Sequence, residues 1–282
     1  MADAGVPKAE AGDRARSWTN ARELEFYLST LVEDFCGNRD RSVMLEWSGH
    51  PGSVVAHQPD VLRPGASLMK LCLVGAIIEL VERGQLDFSQ PVPAARFSTT
   101  RHPSLSRVFD KQHVFSLREV CRLALATSDN PIATALSDLC TVDDVRTAML
   151  DWGLPAESFT YVAGYTDEEL GPLSRNNRIS ARSMMQVLRR FTDTPELRDF
   201  ELALSNGTEH TRIPRLLPAG TRVAHKIASL DGLANHAGMI EIFGDRIWLV
   251  VLAEHEADVD EVDAETARLA ADAAGAITRK QW

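Results

Sequence analysis

Lysine is scarce in this chain. Of its thirty lysines and arginines, only Lys8, Lys70, Lys111, Lys226 and Lys280 are lysine, so one that falls inside a motif is less easily there by accident. Cysteine is also scarce. Cys36, Cys72, Cys121 and Cys140 lack metal-ligand spacing and read most simply as reduced core residues. No segment is long and apolar enough to span a bilayer. Residues 1–18 carry charges but no apolar h-region, so a cytoplasmic protein is expected unless a leader once preceded them. Positive charge is in deficit, and a net charge of −10 argues against nucleic acid or an anionic membrane as the main partner. No spacing suggests a metal, a nucleotide or a flavin, so no cofactor is expected and a small-molecule partner is left. The oligomeric state stays open.

What is present is an ordinary soluble composition, 44% hydrophobic and 25% charged, over a length that suits one large domain or two intimately packed ones. The most informative stretch is Ala66-Ser67-Leu68-Met69-Lys70, between a Pro64-Gly65 turn and the apolar run Leu71 to Leu80. The turn followed by helix formers places Ser67 at or near a helix N-terminus, with Lys70 on the same face three residues on. Two readings are open. Ser-x-x-Lys alone is commonly a capped helix with a surface lysine. A lysine desolvated in a closed site is instead a base able to activate a serine. Embedding Lys70 in an apolar run makes an unpaired charge costly there, which calls for a reason.

Around this stretch the chain alternates in a definite order. Trp18 to Cys36 reads as an amphipathic helix, and Ser42–Trp47 with Ser53–His57 as a hairpin joined by Gly49-His50-Pro51-Gly52. The Ser67 helix ends near Gly84, and residues 86–114 read as an irregular loop. Ser116 to Glu119 is a capping box for a helix to about Thr127. Helices are predicted over Pro131–Leu139, Val142–Trp152 and Ala181–Phe191, with another beginning at Thr194-Pro195-Glu196. Strands follow at Arg222–Ala228, Ala237–Phe243 and Arg246–Leu252, then an Ala-rich helix over Val262–Ile277. This is an α/β sheet whose halves are separated in sequence. Residues 1–60 and 206–282 form the sheet part, and 61–205 form an inserted helical block.

Two clusters bear on Ser67. Ser128-Asp129-Asn130, before Pro131, is commonly a turn whose residues bond their own backbone. The alternative is a hydroxyl that relays a proton and an amide that orients a substrate carbonyl. Lys226, after His225 in a predicted strand, is taken singly a solvated residue.

Ser67-x-x-Lys70, Ser128-Asp129-Asn130 and the strand lysine Lys226, in that order, together resemble the serine β-lactamase and penicillin-binding protein superfamily. Thr127 to Asn130 after Leu117-Arg118-Glu119 is close to the class A wording. Arg212-Ile213-Pro214, Leu217-Pro218-Ala219-Gly220 and Val223-Ala224-His225-Lys226 resemble the lead into the family's Lys-Thr-Gly strand. The resemblance implies an antiparallel sheet flanked by helices with an inserted helical subdomain. It implies Ser67 as acylated nucleophile, Lys70 as its base or proton relay, and Ser128 as proton donor to the leaving atom. Asn130 would contact the substrate amide, and Lys226 would supply positive potential. The oxyanion would be held by the N–H groups of Ser67 and Ser229.

The departures matter as much. Class A enzymes carry a glutamate in the loop before helix 181–191. Counting back from Arg175-Asn176-Asn177, that position falls near Ala163, and Tyr161, Val162 and Gly164 offer no carboxylate. Asp167, Glu168 and Glu169 would substitute if the loop is rearranged; otherwise they are a solvated turn. Lys-Thr-Gly becomes Lys226-Ile227-Ala228. Ile227 lacks the hydroxyl that helps hold a substrate carboxylate, and Ala228 adds a methyl where glycine lets substrate lie close to the strand. His225 and His236 are placed on the sheet edge, Asp231-Gly232 in a strand-to-strand turn, His102 and His113 in loops, and Arg222 as a solvated or carboxylate-binding residue. The expectation is a serine hydrolase or acyltransferase acting on a small amide, ester or thioester in metabolism or biosynthesis. A true class A β-lactamase and a non-catalytic binding protein are the alternatives.

Overall fold

The computed structural model describes residues 21–49, 52–98, 104–165, 176–208 and 210–279. Five strands form one antiparallel sheet: β1 (Arg41–Trp47), β2 (Val54–His57), β8 (Arg222–Leu230), β9 (Leu233–Ile242) and β10 (Asp245–Ala253), in the order β2-β1-β10-β9-β8. The two halves of the sequence therefore meet where β1 pairs with β10, Arg41 opposite Ala253 and Trp47 opposite Ile247. Asp231-Gly232 is the two-residue turn between β8 and β9, with Leu230 paired to Leu233 and Gly232 at φ 67°.

Period-two alternation sends side chains to two separate cores. Val43, Leu45, Leu249 and Val251 meet Leu24, Leu28 and Val32 of α1 (Ala21–Cys36) and Ala270, Ala273 and Ile277 of the C-terminal helix Val259–Arg279. Met44, Met239, Trp248, Val250 and Leu252 turn the other way into the larger core. Both faces are covered, which is why β10 reads as an unbroken apolar run rather than an alternating one.

The larger core is built around α2 (Met69–Glu82), which buries Lys70 through Ile78 on all sides. Around it lie α3 (Leu117–Thr127), α4 (Asn130–Ser137), α5 (Val142–Asp151), α6 (Ala181–Asp193) and α7 (Arg198–Ser205). The capping box at the start of α3 is present, Ser116 Oγ accepting from Glu119 N while Glu119 accepts from Ser116 N at 2.7 Å. Thr194-Pro195-Glu196 starts a 3-10 turn, Pro195–Leu197, before α7. Residues 86–114 are more regular than the sequence implies, because Pro91–Pro93 pairs as β4 with β5 (Val114–Ser116). The short strands β3 (Arg63–Pro64), β6 (Phe159–Thr160) and β7 (Arg178–Ile179) form a second small sheet. The last helix, α8, is the Val259–Arg279 element, longer at both ends than predicted. Among the described residues no helix is long and apolar enough to cross a membrane.

Candidate active site

Ser67 sits in a 3-10 turn, Ala66–Leu68, that runs directly into α2. The turn is held from several sides. Gly65 N donates to Asn177 O at 2.8 Å, and Leu68 N to Gly65 O at 3.0 Å. A Cβ at Gly65 would stand 2.5 Å from Met69 Sδ, so a larger residue there would have to displace the buried Met69 side chain. Ala66 is in the left-handed region at φ 45°, an unfavourable place for alanine that the surrounding bonds enforce.

One helical turn later, Lys70 is fully buried. Its Nζ donates to Ser128 O at 2.5 Å and Asn130 Oδ1 at 2.6 Å, and lies 3.3 Å from Ser67 Oγ. Burial lowers its pKa to about 7, and the nearby Asp129 carboxylate opposes that only in part. At neutral pH a large fraction is thus the free amine, which has two N–H groups and one lone pair. Ser128 O and Asn130 Oδ1 take the two hydrogens, which leaves the lone pair for the Ser67 hydroxyl.

The Ser128-Asp129-Asn130 triplet is a turn, as its composition predicts, and it also delivers side chains to Lys70. Ser128 ends α3 at φ 59°, and Asp129 caps α4 by accepting from Ile132 N at 3.2 Å. Asp129 also takes Ser104 Oγ at 2.7 Å and Leu105 N at 2.6 Å, fixing the neighbouring loop. Lys226 is 2% exposed, so the reading of a solvated strand lysine does not hold. Its Nζ donates to Ser128 Oγ at 2.5 Å and to Ile227 O at 2.9 Å. Ser67, Lys70, Ser128, Asn130 and Lys226 therefore form one hydrogen-bonded group drawn from α2, the α3–α4 break and β8.

Beside them the Ser67 turn packs against β8 and β9. Ile227 is half-buried, Ala228 buried and Ser229 exposed. Arg212, which the sequence analysis assigned no role, secures this end of the strand. Its guanidinium donates to Ala228 O at 3.2 Å, to Asn235 O at 2.6 Å and to Ser229 Oγ. Its Nε approaches Asp263 Oδ1 to 2.5 Å, a charge contact whose angle does not suit a hydrogen bond. Asn235 Nδ2 in turn donates to Pro64 O at 2.7 Å, tying β9 to the chain that leads into Ser67.

Asn177 pins Ala163, accepting from its N–H at 3.3 Å and donating to its carbonyl at 2.7 Å. Among the described residues of the loop before α6, Tyr165 reaches Lys70, its ring centroid 4.7 Å from Nζ. Its hydroxyl donates to Ala66 O at 3.0 Å. Burial holds that phenol well above its ordinary pKa, so it stays neutral. Asp167, Glu168, Glu169, His102 and the turn residues His50 and Pro51 lie outside the described residues.

His225 and His236 are not on an open edge. Both are buried, and their rings meet at 3.1 Å from Nδ1 to Nε2. The sheet does end at β8, yet α7, Gly207 and His210 cover that end beside His225. Arg222 is half-buried and ion-paired, with Glu201 and, at 2.8 Å, with Glu241. His113 is exposed and stacks edge-on against Phe115. Among the described residues no group of three His, Cys, Asp or Glu side chains is placed to hold a metal.

A family model described as the beta-lactamase enzyme family matches residues 19–281. No curated protein matches the chain significantly. Among solved structures, a beta-lactamase from Chitinophaga pinensis is similar over 90% of this chain and 98% of its own, with 21% identity and a TM-score of 0.75. TLA-1 extended-spectrum beta-lactamase is similar at 17% identity and TM-score 0.77, over 89% of this chain and 99% of its own. A mutant of PBP-A, solved as its acyl-enzyme complex with penicillin G, is similar at 17% identity and TM-score 0.72, over 92% and 98%. At these identities the likeness to solved structures concerns the fold.

Proposed function

The chain belongs to the beta-lactamase enzyme family, and from that premise we propose that it is a serine hydrolase or acyltransferase that forms an acyl-enzyme at Ser67 with a small amide, ester or thioester. The observation that carries the reading is the position of Lys70, with two hydrogen-bond acceptors for its N–H groups and Ser67 Oγ at 3.3 Å for its lone pair. Lys70 takes the Ser67 proton as Oγ attacks the acyl carbon. The backbone N–H groups of Ser67 and Ser229 hold the oxyanion, a term worth on the order of 3 kcal/mol per donor. Ser128 Oγ, held by Lys226, passes a proton to the leaving atom, and Asn130 orients the substrate amide. Ile227 and Ala228 shape the strand side of the cleft. Residues 1–60 with 206–282 serve as the sheet subdomain in this reading, and 61–205 as the helical one. The role is metabolic or biosynthetic.

The second reading, a class A β-lactamase, draws support from the beta-lactamases among the structural neighbours. Against it stands Tyr165, a neutral phenol where the described part of the loop meets Lys70. The third, a fold kept for binding alone, leaves no reason to bury Lys70 beside Ser67. Intact-mass analysis after incubation with penicillin and with an active-ester probe tests all three. A covalent adduct on Ser67 is expected from the ester, and no adduct from either compound would overturn the proposal.

A further inference from the structure

Tyr165 is brought to the Ser67 turn by chain that is bonded at several points. Asn177 Oδ1 accepts from Val162 N at 2.7 Å and from Ala163 N at 3.3 Å, while its Nδ2 donates to Ala163 O at 2.7 Å. Tyr165 N donates to Ser137 Oγ at 2.8 Å. Gly164 permits that approach to α4, since a Cβ there would stand 2.9 Å from both Cβ and Oγ of Ser137. The backbone carbonyl of Asn177 meanwhile accepts from Gly65 N at 2.8 Å. Loop and turn are thus fixed to one another, and the buried Tyr165 side chain lies between them.

The Tyr165 hydroxyl donates to Ala66 O at 3.0 Å, and Met69 N–H takes the other lone pair of that oxygen. Ala66 O and the Ser67 N–H belong to one planar peptide unit, and among the described residues no peptide bond is cis. In a trans unit the carbonyl and the N–H point to opposite sides. A donor that holds the carbonyl therefore also sets the direction of the N–H, away from the loop. The turn packs on its other side against β8, the strand that carries Ser229. The unit needs such a hold, because Ala66 at φ 45° is strained and would gain by turning back to negative φ. Burial keeps the phenol protonated, so its hydrogen is always available for this bond.

We propose that Tyr165 is a positioning residue for acylation: by holding the Ala66 carbonyl, its hydroxyl aims the Ser67 N–H at the oxyanion. The inference rests on the acyl-enzyme reading. Its test compares an active ester with the matching thionoester, in which sulfur, a weaker hydrogen-bond acceptor, replaces the carbonyl oxygen. Labelling of Ser67 is followed by intact mass over a range of pH, and each rate is divided by that compound's rate with hydroxide. The native protein should prefer the ester at least ~10-fold, because only the oxygen profits fully from the aimed N–H. Tyr165→Phe keeps the ring over Lys70 and removes the hydroxyl. It should slow the ester on the order of tenfold, less than the ~10²–10³ for outright loss of an oxyanion donor. The thionoester should slow less than about threefold. The midpoint of the pH profile, near 7, should stay in place because Lys70 keeps its neighbours. An unchanged ester rate in Tyr165→Phe, equal losses for the two compounds, or a shifted midpoint would overturn this inference alone, the last by showing that the hydroxyl acts through Lys70. Absence of the native preference, a readout that needs no variant to fold, would refute it as well. Failure of the native protein to label at Ser67 with the ester would overturn the acyl-enzyme reading and this inference with it.

Discussion

Tyr165 lies across Lys70, its ring centroid 4.7 Å from Nζ and its hydroxyl bonded to the carbonyl of Ala66. One side chain thus touches both the proposed base and the residue before the proposed nucleophile. The aromatic face tolerates the ammonium through its quadrupole yet offers no site for a proton. The hydroxyl helps hold Ala66 at its positive φ. Chemistry at Ser67 is therefore supported from the loop side by packing and not by a second base among the described residues.

Ser67→Ala should abolish covalent labelling by an active ester and leave the thermal midpoint near that of the native protein. Alanine suits the 3-10 turn that enters α2, and the turn's backbone bonds do not involve the hydroxyl. Tryptic mapping checks the site. An adduct that persists on another serine would refute the assignment.

Lys70→Ala should slow acylation by ~10²–10⁴, the range for loss of a positioned base. The free amine is the active form, so native acylation should rise with pH through about 7 and level off above it. Stability carries the same signature with a definite sign. Between about pH 7 and about 10.5 the unfolded chain binds a proton on this lysine that the native chain does not. The native protein should therefore gain stability relative to Lys70→Met as pH rises across that window. Denaturant titrations at pH 6 and pH 9 measure it, and a flat difference would mean that Lys70 is charged when buried.

Much of this fold was legible because its signals are local. The Ser116–Glu119 capping box, the Asp231-Gly232 turn and the alternating strands each depend on a few adjacent residues; the box and the turn form where predicted, while β9 begins four residues before the predicted Ala237. The group around Ser67 was legible through motif order. What escaped was set by distant contacts. Arg212 bonds to residues 16 to 23 positions away, and Tyr165 to Ala66 across 99. His225 was read as an edge residue because strand periodicity says nothing about what covers the edge. Tyr165 beside Lys70 was not legible either, because position along a loop does not specify which residue turns inward.

Two glycines give a matched test of packing. Gly238→Ala should destabilise the protein by ~1–3 kcal/mol, because the new methyl meets Ile213 at 2.9 Å and His225 Cβ at 3.0 Å within a paired strand. Gly275→Ala in α8 meets nothing within 4 Å and should stabilise by ~0.5–1 kcal/mol through helix propensity. Urea midpoints compare the two. A neutral Gly238→Ala would mean that the His225 strand has slack.

The fate of a penicillin decides between the two enzymatic readings. Acylation requires Ser67, Lys70, Ser128 and the oxyanion N–H groups, and the first three are already hydrogen-bonded to one another. Release requires a water activated from the loop side, where Ala163 is clamped by Asn177 and Tyr165 presents a neutral ring. A penicillin that enters should therefore remain as a stable penicilloyl adduct, while thioesters and small esters turn over because their leaving groups depart and free space for water or a second nucleophile. Tyr165→Glu would put a carboxylate beside Lys70 and should shorten the adduct's lifetime at least ~10-fold, the lower reach of a general base in a good position. Tyr165→Phe, which keeps the ring and supplies no base, should leave it long-lived. Asp167, Glu168 and Glu169 are the sequence's remaining carboxylates for this task, so each is changed to Ala in parallel. Rapid multiple-turnover hydrolysis of penicillin by the native protein, lost on removing one of those three, would establish the lactamase reading in place of ours.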